Sequence, residues 1–248
     1  MLESVRTARG IVRSLRIYYG DKERRTAMDR LYRRFVRPGD LVFDIGAHVG
    51  GRVAAFRRLG ARVIAVEPQP ALVRTLRLLY GRDPNVTIED AAIGSRSGFV
   101  ELSLNIDNPT VSTASPDFVA AAAGASGWEE QSWTRGPQVS LTTVDALIEK
   151  HGPPAFIKID VEGFEAEVLQ GLSQPVPALS FEFTTIQRDV AQACLKRCAA
   201  LGYTKFNAAL GESQRLEHAD WINDGAVARW LAELPARANS GDIYASLI

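Results

Sequence analysis

Short apolar runs and stretches of helical period alternate along most of this 248-residue chain. Residues 41–45, 62–66, 86–88, 156–160 and 179–183 are brief, largely apolar runs, the pattern of strands covered on both faces. Segments 52–59, 71–80 and 165–172 carry apolar residues three and four apart, the spacing of a helix face. Segment 91–104 adds strand material, and 203–208 and 243–248 read as the last two strands, around a helical excursion over 219–234. This alternation predicts an α/β fold: a three-layer, Rossmann-like sheet of about seven mostly parallel strands, with helices preceding it.

Two stretches depart from the alternation. In residues 1–37, Val5, Ala8, Val12, Leu15 and Tyr19 mark a helical stripe, with Arg6, Arg9, Arg13 and Arg16 about one position round. The segment holds eleven basic residues against four acidic ones, so the remaining chain carries the compensating negative charge. It is expected to be a basic helical segment packed on a domain spanning 38–248, its arginines solvated. The alternative is peripheral contact with an anionic membrane surface or an acidic partner. Residues 105–138, with an alanine run and Trp128 and Trp133, are too long for a simple connection and are expected to form a lid over the substrate. Either Trp would stack on a sugar or anchor the loop.

Composition mainly excludes. Balanced charge argues against a dedicated nucleic-acid binder, and no apolar run suits a membrane-crossing helix. The two cysteines, Cys194 and Cys198, lie four apart in a helical pattern, which leaves no disulfide framework. No secretory signal pattern opens the sequence, and a cytoplasmic location is expected.

The candidate chemistry begins at the first strand. It ends in Asp44 and enters a turn with Gly46 and Gly50, followed by a helix. In such sheets ligands sit beyond the carboxyl ends of the strands, and glycine admits a close backbone approach there. Glu67, about twenty residues on at the next strand end, is placed to accept from ribose hydroxyls. The D-x-G-x-x-x-G spacing differs from the dinucleotide fingerprint. An acid at position 44 would repel pyrophosphate but suit the cationic S-adenosylmethionine. No phosphate-binding loop motif is present.

These residues, together with others along the chain, resemble the FkbM-type S-adenosylmethionine-dependent methyltransferases, which have the class I methyltransferase fold. The resemblance runs through Arg37-Pro38-Gly39-Asp40, Asp44-Ile45-Gly46-Ala47-His48-Val49-Gly50, Val66-Glu67-Pro68, Asp90-Ala91-Ala92-Ile93-Gly94 and Thr143-Val144-Asp145. It is most distinctive at Ile157-Lys158-Ile159-Asp160-Val161-Glu162-Gly163-Phe164-Glu165, and Gly241-Asp242-Ile243-Tyr244-Ala245 is similar to the family's last strand. It implies cofactor contacts from Asp44, Gly46, Ala47, His48, Gly50, Glu67 and Pro68, adenine contacts from Asp90 and Ala91, and a place for Asp160 facing both cofactor and substrate. His48 stands where Asn is common in the family.

Methyl transfer to an alcohol needs alignment and a base. Lys158 and Asp160 share one strand face, so Asp160 or Glu162 is expected to act as base or substrate clamp, with Lys158 setting its charge state. The alternative is a buried ion pair that only fixes the chain. Asp160, Glu162 and Glu182 would suit Mg²⁺ or Ca²⁺, but the family pattern requires no ion and none is expected. The expected activity is O-methylation of a small-molecule or glycan acceptor. The alternatives are a non-catalytic cofactor- or partner-binding domain and a nicotinamide-dependent dehydrogenase.

Overall fold

The computed structural model describes residues 2–247. Helices α1 (Leu2–Gly20) and α2 (Lys22–Tyr32) lead into β1 (Leu41–Ile45), α3 (Gly51–Arg58), β2 (Arg62–Val66), α4 (Pro70–Tyr80), β3 (Val86–Glu89), β4 (Ala92–Ile93) and β5 (Gly98–Leu104). There follow α5 (Pro116–Ala122), β6 (Thr134–Thr142), α6 (Val144–His151), β7 (Phe156–Ile159), α7 (Glu165–Gln170) and β8 (Ala178–Thr184). The chain closes with α8 (Arg188–Ala200), β9 (Lys205–Leu210), α9 (Asp224–Glu233) and β10 (Ser240–Ser246). Several helices start on side-chain caps. Asp21, Ser115, Thr143 and Asn223 each accept a backbone N–H three residues on, as expected of short polar residues before a helix.

Seven strands form the large sheet in the order β3-β2-β1-β7-β8-β10-β9; β10 is antiparallel to both its neighbours, and the remaining pairs are parallel. The expected three-layer α/β architecture is therefore the observed one. One face packs on α6, α7, α8 and α9 through Val144, Val168, Leu169, Leu195 and Val227. Cys194 and Cys198 are free thiols buried on α8 in that layer. The other face packs on α2, α3 and α4 through Met28, Leu31, Val53, Phe56 and Leu76. Each such fully buried apolar side chain contributes about 1.5–3 kcal/mol.

Two local expectations change. The segment 105–138 is not wholly an excursion, because residues from Thr134 onward belong to β6, which pairs with β4 and β5 in a second, three-stranded sheet. In α1 the first half of the apolar stripe does not face the domain: Val5 and Val12 are 47% and 46% exposed and Gly10 and Ser14 are buried, whereas Leu15 and Tyr19 are half-buried and Tyr19 bonds the Val49 carbonyl. A Cβ on Gly10 would lie 2.8 Å from Pro109 Cδ, so the helix seats itself by close approach of small residues.

Candidate functional site

The carboxyl ends of β1, β2 and β7 open into a concave cleft lined by both apolar and polar side chains. The turn after β1 is pinned by Gly46 and Ala47, whose amides donate to the Val66 carbonyl at 3.0 and 2.9 Å. Gly46 has φ +85°, and a Cβ there would sit 1.8 Å from the Asp160 carbonyl oxygen. Its first demand is thus the contact between the β1 and β7 turns, not only room for a ligand. Gly50, at φ +83° before α3, faces Tyr80 and Leu76 instead of the cleft.

Glu67 ends β2 and is buried in the cleft wall. Its Oε2 accepts from the His48 amide at 2.8 Å and its Oε1 from the Gln69 amide at 2.9 Å. Each carboxylate oxygen has a second lone pair, so capacity for a ligand hydroxyl remains. Burial raises its pKa to about 7, against the pull of those two amides. Burial lowers His48 to about 4, which leaves its imidazole neutral at neutral pH. The ring meets Tyr18 edge-on at 5.5 Å, and Nε2 lies 3.5 Å from Thr110 Oγ1. Ile45, Val66, Ala91, Ala92, Ile93 and Phe164 supply an apolar lining.

Beneath the cleft lies a buried charged floor. Parallel pairing sets Asp44 opposite Lys158 and Lys158 opposite Ser180, while β10 sets Asp242 opposite Glu182. Lys158 is fully buried, forms an ion pair with Asp242 Oδ1 at 2.9 Å, and donates to Asp160 Oδ2 and the Ile159 carbonyl, both at 3.1 Å. Arg52, on α3, reaches Asp160 at 3.4 Å and Glu212 at 3.6 Å. Burial alone would push the Asp160 carboxyl up, but Lys158 and Arg52 hold it well below the usual carboxylate range. Burial pushes Glu162 well up, and the charge of Asp160 adds to it. Asp44 is fully buried, and burial raises it to about 6 against the pull of Arg52, Lys158 and the Val53 amide.

The turn after β7 aims these groups. Glu162 and Gly163 both have positive φ, 54° and 86°. Glu165 Oε1 accepts from the Val161 and Gly163 amides at 3.1 and 3.3 Å, and Thr113 Oγ1 donates to the Glu162 carbonyl at 2.6 Å. Thr113 comes from the insert, whose Thr110, Ser112 and Ala114 also wall the cleft. Trp128 and Trp133 do not line it. Both pack edge-on against Phe118, with Nε1 of Trp128 donating to Asn239 and Nε1 of Trp133 to the Val111 carbonyl, at 3.1 and 2.7 Å.

Of the residues singled out in the sequence, Gly46, Ala47, His48, Glu67, Pro68, Ala91, Asp160 and Glu162 line one cleft. Asp44 and Lys158 lie in the floor below it. Asp90 points to solvent beside Arg77, 3.6 Å away, outside the lining. Sequence reasoning missed Arg52, Asp242 and Tyr18. The single signal for Arg52 is its place one turn into the helix after the glycine turn; Asp242 carried one as a charge inside an apolar final strand. One carboxylate oxygen each from Asp160, Glu162 and Glu182 lie within 4.8 Å of one another, a spacing that could hold a cation.

The family model described as "Methyltransferase FkbM domain" matches residues 44–221. A hexuronic acid methyltransferase, AglP of Haloferax volcanii, is 25% identical over 176 residues, covering 68% of this chain and 66% of that protein, just under two thirds of its length. Among solved structures, precorrin-6y C5,15-methyltransferase of Geobacter metallireducens has a TM-score of 0.44 at 14% identity, covering 89% of this chain and 86% of that one. Fibrillarin of Aeropyrum pernix, solved with natively bound S-adenosyl-L-methionine, has a TM-score of 0.45 at 12% identity, covering 85% and 68%.

Proposed function

The chain belongs to the FkbM methyltransferase family, and from that premise we propose that it methylates a hydroxyl of a sugar or natural-product scaffold, with S-adenosylmethionine as donor. One observation carries the reading. A single cleft holds a strand-end acid, Glu67, an apolar lining, and two carboxylates of opposed proton affinity, Asp160 and Glu162. These residues fit the donor: Glu67 for ribose hydroxyls, the turn at 46–48 and Ala91–Ile93 for the nucleoside, Asp160 for its cationic end. When bound, the donor supplies a methyl group on an activated sulfonium leaving group. The sugar acceptor is supported by the hexuronic acid named for the Haloferax relative.

The protein's own work is orientation and proton removal. Asp160, kept ionised by Lys158 and Arg52, is a weak base and a strong anchor for a cation or an acceptor hydroxyl. Glu162, with the higher proton affinity, takes the hydroxyl proton, and a cation bound beside it favours its ionised form. Tyr18, Thr110 and Ser112 line the same cleft and are the side chains this reading assigns to the acceptor.

The test is a panel of free and nucleotide-linked sugars and uronic acids, read as S-adenosylhomocysteine release. Glu162→Gln is expected to lower kcat by ~10²–10⁴ while donor affinity stays within a few-fold. The rising limb of the pH–rate profile, displaced above the ordinary Glu range, should vanish with it. Activity retained within a few-fold moves the base to Asp160. Chelation with EDTA should leave turnover unchanged; loss restored by Mg²⁺ would recast Asp160, Glu162 and Glu182 as metal ligands.

A further inference from the structure

The outward face of α1 remains unexplained by the cleft. Val5 and Val12 are about half exposed, and Ala8 lies exposed between them. Ala8 also borders a groove between α1 and α4, whose far side carries Leu78, the most exposed large apolar residue described, at 87%. Apolar side chains of one surface thus come from two helices, although each helix has a buried face of its own.

The charge around this strip is mostly basic among the described residues. Arg9, Arg13 and Arg16 flank Val5 and Val12 on α1, and Arg74 stands beside the groove on α4. Among the described residues, Arg9, Arg16 and Arg74 have no carboxylate partner, and Arg13 bonds only the Asp107 carbonyl, at 3.2 Å. Among the described residues, Asp107 is paired with Arg6, and Asp90 with Arg77. A solvated helix has no need of such a strip. Exposed aliphatic groups rimmed by unpaired guanidiniums match the chemistry of an anionic bilayer surface, with shallow burial of the apolar groups and attraction to headgroups acting together.

We propose that the α1–α4 face docks the protein peripherally on anionic membranes. The same two helices reach the cleft, α1 through Tyr18 and α4 through its N-cap residue Gln69. Docking does not depend on the methyltransferase reading, because the test measures binding alone.

The experiment is flotation of the full chain with vesicles of phosphatidylcholine containing about 30 mol% phosphatidylglycerol, beside vesicles of phosphatidylcholine alone. Binding is expected to the anionic vesicles only, and to be released near 0.5 M salt, roughly where the Debye length falls to a few ångströms. Arg9→Gln/Arg16→Gln should weaken it about 30-fold, at about fivefold for each guanidinium near the surface. Val12→Gln and Leu78→Gln should each weaken it about tenfold. All four positions are exposed, so melting temperatures should stay put. The salt release of the unaltered chain tests the idea even if a variant misfolds. Absence of binding to anionic vesicles, equal binding to neutral ones, or binding indifferent to these substitutions would overturn it. So would a concentration-dependent dimer abolished by Val12→Gln, which would assign the face to a second copy of the chain.

Discussion

Replacing Lys158 by methionine tests whether the charged floor holds the cleft together. The ammonium is fully buried, donates to Asp160 and the Ile159 carbonyl, each at 3.1 Å, and pairs with Asp242 at 2.9 Å. Methionine fills much the same volume and removes the charge, leaving two carboxylates without their central partner. Breaking a buried pair from one side costs about 3–5 kcal/mol, against a total stability of about 5–15 kcal/mol for a typical domain. Arg52, at 3.4 Å from Asp160, offsets part of this, so the lower end is expected. The pH dependence is diagnostic. In the native chain Asp160 titrates below its unfolded value, so its contribution is present above about pH 4 and lost only as pH falls through the lower folded value. Lys158 titrates above its unfolded value, so its share is intact below about pH 10 and lost only as pH rises through the higher folded value. Without the lysine, Asp160 gains stability by taking a proton, and the penalty should shrink as pH is lowered. Urea unfolding of both proteins at about pH 7.5 and pH 5 measures this. A loss under about 1 kcal/mol, or one equal at both pH values, refutes the reasoning.

Two further substitutions probe the cleft wall. Glu67→Ala should weaken binding of S-adenosylhomocysteine by ~1.5–3 kcal/mol in calorimetry, since a charged acceptor is lost; unchanged affinity removes Glu67 from the site. Gly46→Ala places a methyl 1.8 Å from the Asp160 carbonyl at φ +85°, and should cost about 2–5 kcal/mol from crowding and left-handed strain together. Its melting temperature should fall sharply; a native-like melt would show that the β1 and β7 turns part easily.

Strand runs such as Leu41–Ile45 and Arg62–Val66 were legible because burial on both faces leaves little but apolar residues to choose from. The glycine turn and Glu67 were legible because backbone geometry and charge at a strand end narrow the choice of residue types. Strand β6 was not: its residues are mostly exposed or half-buried, so its polar sequence resembles a loop. The inward face of α1 was hidden for the opposite reason. Gly10 and Ser14 sit inside because the helix approaches Pro109 closely, and small residues leave no hydrophobic signal. Asp242 stands out as a charge in an apolar strand, but nothing local announces its pairing with Lys158 across β8.

That pairing also orders the folding of the chain. Strands β1, β2 and β7 can assemble as soon as they are made, but Lys158 on β7 then has Asp160, the neighbouring carbonyl and Asp44 across on β1, and lacks the 2.9 Å pairing with Asp242. Asp242 arrives with β10, the last strand, which inserts between β8 and β9. Closing the sheet and neutralising its interior are therefore one event, and it falls late, at high sequence separation. A nascent or truncated chain lacking β10 would hold an exposed edge on β8 and an under-compensated charge at once, a state suited to chaperone capture and proteolysis instead of partial activity.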